Sequence, residues 1–130
     1  MTDIDELAAA ARDAAQNAYA PYSRFRVGAV VVTPEGRRYS GANVENAAFG
    51  TSMCAEATAI GHAVASGERS IETVAVACID ATGDPGYPCG NCRQIMVEFG
   101  VRRVIVDGPD GPTEHPLSEL IPHAFGPGAL

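Results

Sequence analysis

Apolar and polar positions along the chain fall into runs of two periods. "TVAVACI", from Thr73 to Ile79, is continuously apolar and rich in β-branched residues, the pattern of a strand covered on both faces. "FRVGAVVVT" and "RRYSGAN" flank "PEGR", where Pro34 presets a turn dihedral and Gly36 tolerates positive φ, so the two runs predict an antiparallel hairpin. Gly28 and Gly41 inside those runs predict bulges or close backbone approach. From about Ser52 to Ser66 the period changes: Met53, Ala57, Ile60, Ala63 and Val64 recur at helical spacing and the run stops at Gly67. A core-facing helix built on small residues is expected there.

The flanking segments complete the order. "TDIDE" offers Asp3 as an N-cap with Glu6 as its capping-box partner, and "LAAAARDAAQNA" favours a helix from about Asp3 to Asn17. Pro21 in "YAPYSRF" ends it. "CGNCRQIMVEFG" predicts a helix ending at Gly100, and "VRRVIVD" a following strand, so strand, helix and strand form a parallel crossover. A short edge strand is expected near Thr113 to His115, and a last short helix in "LSELIPHAFGPGAL", stopped by Pro122. The economical packing is α/β, a mixed sheet with helices on both faces, in one domain spanning residues 1–130.

Composition narrows the function. Hydrophobic residues at 46% and charged residues at 19% fit an ordinary globular fold. A formal net charge of -7 disfavours polynucleotide partners. No apolar stretch approaches the roughly 18 residues of a membrane span, and the acidic N-terminus resembles no export signal, so a cytoplasmic location is expected. In a reducing compartment the four cysteines serve metal binding, redox chemistry or packing rather than disulfides.

Three of them fall at predicted helix starts: Cys54 on one helix, Cys89 and Cys92 on the next. A helix N-terminus stabilises the thiolate that a metal needs, and three thiolates suit Zn²⁺. Cys78 lies mid-strand, where a small buried hydrophobe is the simpler reading, and His62, His115 and His123 show no ligand spacing with the thiols. Three ligands leave one position for water, as in a catalytic site. Glu56 stands two residues after Cys54, a spacing that shares no helix face, so Cys54 must occupy the irregular first turn for both to reach one site. Beside an acidified water a carboxylate acts as general base and then general acid; alone, a glutamate at a helix start only complements the dipole. A redox reading, with Cys89 and Cys92 as a reversible disulfide, leaves Cys54 and Glu56 without a role.

"CAE" at 54–56 and "PCGNCRQ" at 88–94 resemble the signature of zinc-dependent base deaminases. With "PYSRFRVGA", "NVEN" and the terminal "AFGP" in order, nearly the whole chain is similar to the small homotetrameric cytidine deaminases. The resemblance implies a three-layer α/β/α fold with a mixed, mostly five-stranded sheet, and one Zn²⁺ per chain held by Cys54, Cys89 and Cys92. It further implies Glu56 as proton shuttle, deamination of cytidine and 2′-deoxycytidine in pyrimidine salvage, and a homotetramer with shared active sites. Asn43 and Glu45 of "NVEN" resemble a clamp on the sugar's 3′-hydroxyl; without the resemblance the segment reads as a polar loop. Phe25 resembles an aromatic packed on the substrate, although it fits an inward strand residue equally. Ala55 would offer backbone groups to the base. Ala47 and Phe49 lie where the family makes contacts across the tetramer, and Phe125 resembles an aromatic reaching a neighbour's site, or else caps its own core.

Two positions depart from that family. Ala57 stands where many relatives carry arginine, leaving Arg93 as the motif's charge support and predicting a weaker hold on negative charge at the metal. Phe49 stands where tyrosine is common, so one hydrogen bond of about 1 kcal/mol towards the sugar is missing. Among rival readings, a deaminase of blasticidin S, a free base or a nucleotide shares the fold. "NVEN" and the lack of a basic cluster favour an unphosphorylated nucleoside.

Overall fold

The structure is a computed structural model and describes residues 3–130. A first helix, α1 (Asp3–Ala15), leads into the hairpin β1 (Val27–Val32) and β2 (Arg38–Ala42). Helix α2 (Ala55–Ala65), strand β3 (Thr73–Cys78), helix α3 (Gly90–Glu98) and strand β4 (Arg103–Gly108) form the second half. Strand β5 (Gly111–Pro116) and the short α4 (Leu117–Leu120) close it. One sheet runs in the order β2-β1-β3-β4-β5. Only β3 and β4 pair in parallel, joined by the α3 crossover, and the other three pairs are antiparallel.

Alternation along the central strands sorts the core into two layers. Ala29, Val31, Val74, Val76, Val104 and Val106 pack beneath α2 and α3 with Ile60 and Met96. Val30, Ala75, Ala77 and Ile105 face the other way, against Leu7 and Ala11 of α1. The result is the three-layer α/β/α arrangement. The glycines singled out in the hairpin allow the helices to sit close. A Cβ at Gly28 would lie 2.1 Å from the Ala11 carbonyl of α1, and one at Gly41 would lie 2.4 Å from the Ala59 nitrogen of α2. Both mark close approach, and the regular pairing of Gly28 with Ala42 and Gly41 with Ala29 shows no bulge there.

Three local expectations change. Asp3 is already helical rather than a cap, and its carboxylate pairs with Arg103; the residues before it lie outside the described ones. Helix α2 starts at Ala55, so Met53 is not a core-facing helical residue. It lies extended, bridged to Val44 and about half exposed. The reason is Cys54, whose extended φ/ψ of −71°/153° makes it the residue before the helix. The edge strand is the full β5, and its prolines, Pro112 and Pro116, are tolerated because an edge leaves one side unpaired. No helix among the described residues is long and apolar enough to cross a membrane.

Candidate active site

The starts of α2 and α3 converge beyond the end of β3. Cys54 and Cys89 each occupy the last extended residue before a helix, and Cys92 lies in the first turn of α3. Neither helix has a side-chain cap, so the free N–H ends and the positive ends of both dipoles serve the thiols. The three Sγ atoms lie within 4.8 Å of one another, with Cys54 and Cys89 at 3.9 Å. Tetrahedral zinc with Zn–S bonds of about 2.3 Å requires sulfurs about 3.8 Å apart, so the triad fits one such ion. All four cysteines are free thiols.

Charge in this cluster is poised for a cation. Hydrogen bonding from Cys92, and secondarily from Cys89, draws the Cys54 thiol down to about 6 against the opposing effect of burial. Cys92 is pushed up, first by its bond to Cys54 and then by burial and the neighbouring negative groups. Cys54 therefore gives up its proton readily, and ionisation of Cys92 calls for a positive ion nearby.

Glu56, in the first turn of α2, is only 5% exposed. Burial raises its carboxyl to about 7, its own main-chain N–H opposes that shift, and the charge at Cys54 adds to it. A carboxyl at that value can both accept and return a proton near neutrality. It lies outside the thiol triad. Glu56, Cys54, Cys89 and Ala55 line one cavity of about 290 Å³, near the lower end of the ~300–1,000 Å³ range of small-molecule sites. Ala55 is fully buried at the first position of α2, where its N–H has no partner within the helix.

Phe25, Asn43 and Glu45 line the same cavity. Asn43 Oδ1 accepts from the Val27 N–H at 2.8 Å, and its Nδ2 donates to the Phe25 carbonyl at 2.9 Å, leaving one amide hydrogen for a ligand. Glu45 accepts from the Ser23 hydroxyl, which chiefly holds its carboxyl below its ordinary value, and from the N–H groups of Ser23 and Tyr22, which add to that effect. Phe25 is 40% exposed and belongs to the cavity wall rather than the core.

Other expected residues stand apart from this cavity. Phe49 is 73% exposed and meets Tyr22 edge-on with ring centroids 5.9 Å apart, Ala47 is exposed nearby, and Phe125 is exposed with its carbonyl bound by Gln94. Phe125 does not cap the core of its own chain. Arg93 donates to the carbonyls of Pro88 and Leu120 at 2.7 and 2.6 Å, which ties α3 to α4; neither bond reaches a thiol. Cys78, Gly86 and Tyr87 line the cavity without having been foreseen. Cys78 is half-buried there, with its thiol pushed up to about 11 chiefly by burial. The signal for Cys78 was its phase, since with Val74 and Val76 it falls on the face beneath α2 and α3, at the strand's C-terminal end.

Fold and site together define an α/β/α protein whose three clustered thiols can hold one metal ion beside a buried carboxylate. Comparison with known proteins supplies the family. Residues 1–107 match the cytidine and deoxycytidylate deaminase zinc-binding region, and the chain belongs to that family. It is 40% identical over 128 residues to the cytidine deaminase of Mycobacterium tuberculosis, covering 97% of this chain and 93% of that one. The cytidine deaminase of Sporosarcina psychrophila is likewise 40% identical, over 126 residues, covering 95% and 91%. Among solved structures, the cytidine deaminase of Burkholderia pseudomallei superposes with a TM-score of 0.87 at 40% identity, over 96% of this chain and 100% of that one.

Proposed function

We propose that this protein hydrolyses cytidine and 2′-deoxycytidine to uridine and 2′-deoxyuridine with release of ammonia. One observation carries the reading: a triad of thiols at zinc spacing and a buried, proton-exchanging carboxylate share a cavity with a polar end made by Asn43 and Glu45. Cys54, Cys89 and Cys92 would hold one Zn²⁺, which supplies a Lewis-acid centre that acidifies water. Glu56 takes a proton from water and delivers it to N3 of the pyrimidine as the water oxygen bonds to C4, then carries the proton of the new C4 hydroxyl to the amine, so that the C4–N bond breaks, ammonia leaves and the C4 carbonyl forms. Its burial keeps bulk water from competing for that proton.

The same cavity supports the choice of substrate. Glu45 has one lone pair left, on Oε2, after its loop contacts, and Asn43 has one donor left, so the pair can bracket a sugar hydroxyl. A free base leaves both unpaired, which is costly. Phosphate is disfavoured because the lining residues include no lysine, arginine or histidine and do include Glu45 and Glu56. Phe25 packs on the substrate and Ala55 presents its N–H to the base.

The exposed positions of Ala47, Phe49 and Phe125 suit contacts between copies, and the reading includes a homotetramer with shared active sites. Arg93 acts by fixing the α3 start that carries Cys89 and Cys92. The whole chain, 1–130, serves as a single cytoplasmic domain in pyrimidine salvage. The test is ammonia release from cytidine, deoxycytidine, cytosine, cytidine monophosphate and blasticidin S, each with and without a chelator. Chelator-sensitive turnover of the two nucleosides is expected, and preferential turnover of any other substrate would overturn the assignment.

A further inference from the structure

The cavity is enclosed by two chain segments that leave the sheet at one point. Val27 and Cys78 are partners in the β1–β3 ladder, and just beyond it the Ile79 N–H donates to the Arg26 carbonyl at 3.2 Å. From there one segment carries Phe25 and the other carries Gly86 and Tyr87, all three on the cavity wall. Asp80 spans the divergence. Its Oδ2 accepts from the Arg26 main-chain N–H at 2.8 Å and from Nε at 2.9 Å, while Oδ1 accepts from the guanidinium NH2 at 2.9 Å. Among the described residues these are the only side-chain hydrogen bonds between residues 22–26 and 79–88.

We propose that Asp80 is a positioning residue for nucleoside binding: its three-bond grip on Arg26 fixes the adjacent Phe25 against the loop that carries Gly86 and Tyr87. Phe25 is also held by the Ser23 hydroxyl at its N–H and by Asn43 at its carbonyl; Asp80 grips the N–H of that same 25–26 peptide unit and ties it to the segment that continues to Gly86 and Tyr87. A bidentate guanidinium–carboxylate pair sets orientation as well as distance. The pair is partly open to solvent, with Arg26 41% and Asp80 27% exposed, so its share of folding stability is small. Glu56 and Cys92 lie in the first turns of α2 and α3, Cys54 and Cys89 immediately precede those helices, and the three hydrogen bonds of Asp80 all go to Arg26 rather than to any of these residues. Loss of the grip therefore weakens ground state and transition state alike, raising KM and sparing kcat.

The inference rests on the nucleoside reading above, and steady-state kinetics of the zinc-loaded full chain test both. Asp80→Ala is expected to raise KM for cytidine about tenfold with kcat held within about twofold. Zinc content and Tm should match the wild type, and the affinity for uridine, which does not react, should fall by the same factor. Asp80→Asn keeps an acceptor for the Arg26 N–H without the charge and should lie between the two. An unchanged KM in Asp80→Ala overturns the proposal and leaves the nucleoside reading intact. So does a parallel loss of kcat, zinc and Tm, which would mark a structural role. A wild-type chain that releases no ammonia from cytidine overturns the nucleoside reading itself, and the proposal with it.

Discussion

Replacing Glu56 by glutamine keeps the shape of the side chain and removes its charge, so the variant separates the carboxylate's chemical role from its cost to the fold. In the metal-free protein, burial moves this carboxyl from an ordinary 4.5 to about 7. At 1.36 kcal/mol per pH unit, the ionised form is disfavoured by roughly 3 kcal/mol. The folded pKa is raised, so the folded state prefers the protonated acid. Glu56 then costs nothing below 4.5, its cost grows between 4.5 and about 7, and it levels off above that. Urea unfolding of chelator-treated wild type and Glu56→Gln at about pH 5 and about pH 8 reads this difference. The variant should be about as stable as wild type at the lower pH and more stable by up to roughly 3 kcal/mol at the higher. Zinc-loaded Glu56→Gln should retain its metal and lose about 10²–10⁴-fold in turnover. An offset between the two proteins that is the same at both pH values would refute the burial argument, and full activity would refute the proton-shuttle role.

Three further outcomes follow from the geometry. Cys89→Ala removes one corner of the triad, and metal analysis should find the wild type's one zinc per chain largely absent. Gly41→Ala forces a Cβ to within 2.4 Å of the Ala59 nitrogen of α2, so thermal unfolding should show a loss of about 1–3 kcal/mol or more; an unchanged Tm contradicts the close approach. Glu68 is held at about 2 by Arg37 and then Tyr39, so its stabilising effect is present above its ordinary 4.5 and is lost as pH falls towards 2. Acid unfolding of Glu68→Gln should show a deficit at neutral pH that closes towards pH 2, whereas curves that stay parallel would exclude the carboxylate as its source.

Some of the site was legible because chemistry there is local. Cys89 and Cys92 are one helical turn apart, and the requirement that Cys54 lie in the irregular first turn follows from its spacing to Glu56 alone. Met53 was misplaced for the same local reason: its side chain continues the helical period, yet Cys54 takes an extended conformation and starts the helix later. Arg26 and Asp80 left no trace, because 54 residues separate partners that meet only when β1 and β3 pair.

By itself the sequence determined the elements, the hairpin turn at Pro34 and Gly36, and the residue types suited to binding zinc beside a carboxylate. These rest on periodicity and on side-chain chemistry, which each short stretch carries with it. Tertiary structure alone decided that the starts of α2 and α3 meet, that burial lifts Glu56 to about 7, and that Cys78 turns into the cavity wall rather than the core. Distance, desolvation and enclosure are properties of surfaces brought together from distant parts of the chain, and they exist only once the sheet has formed.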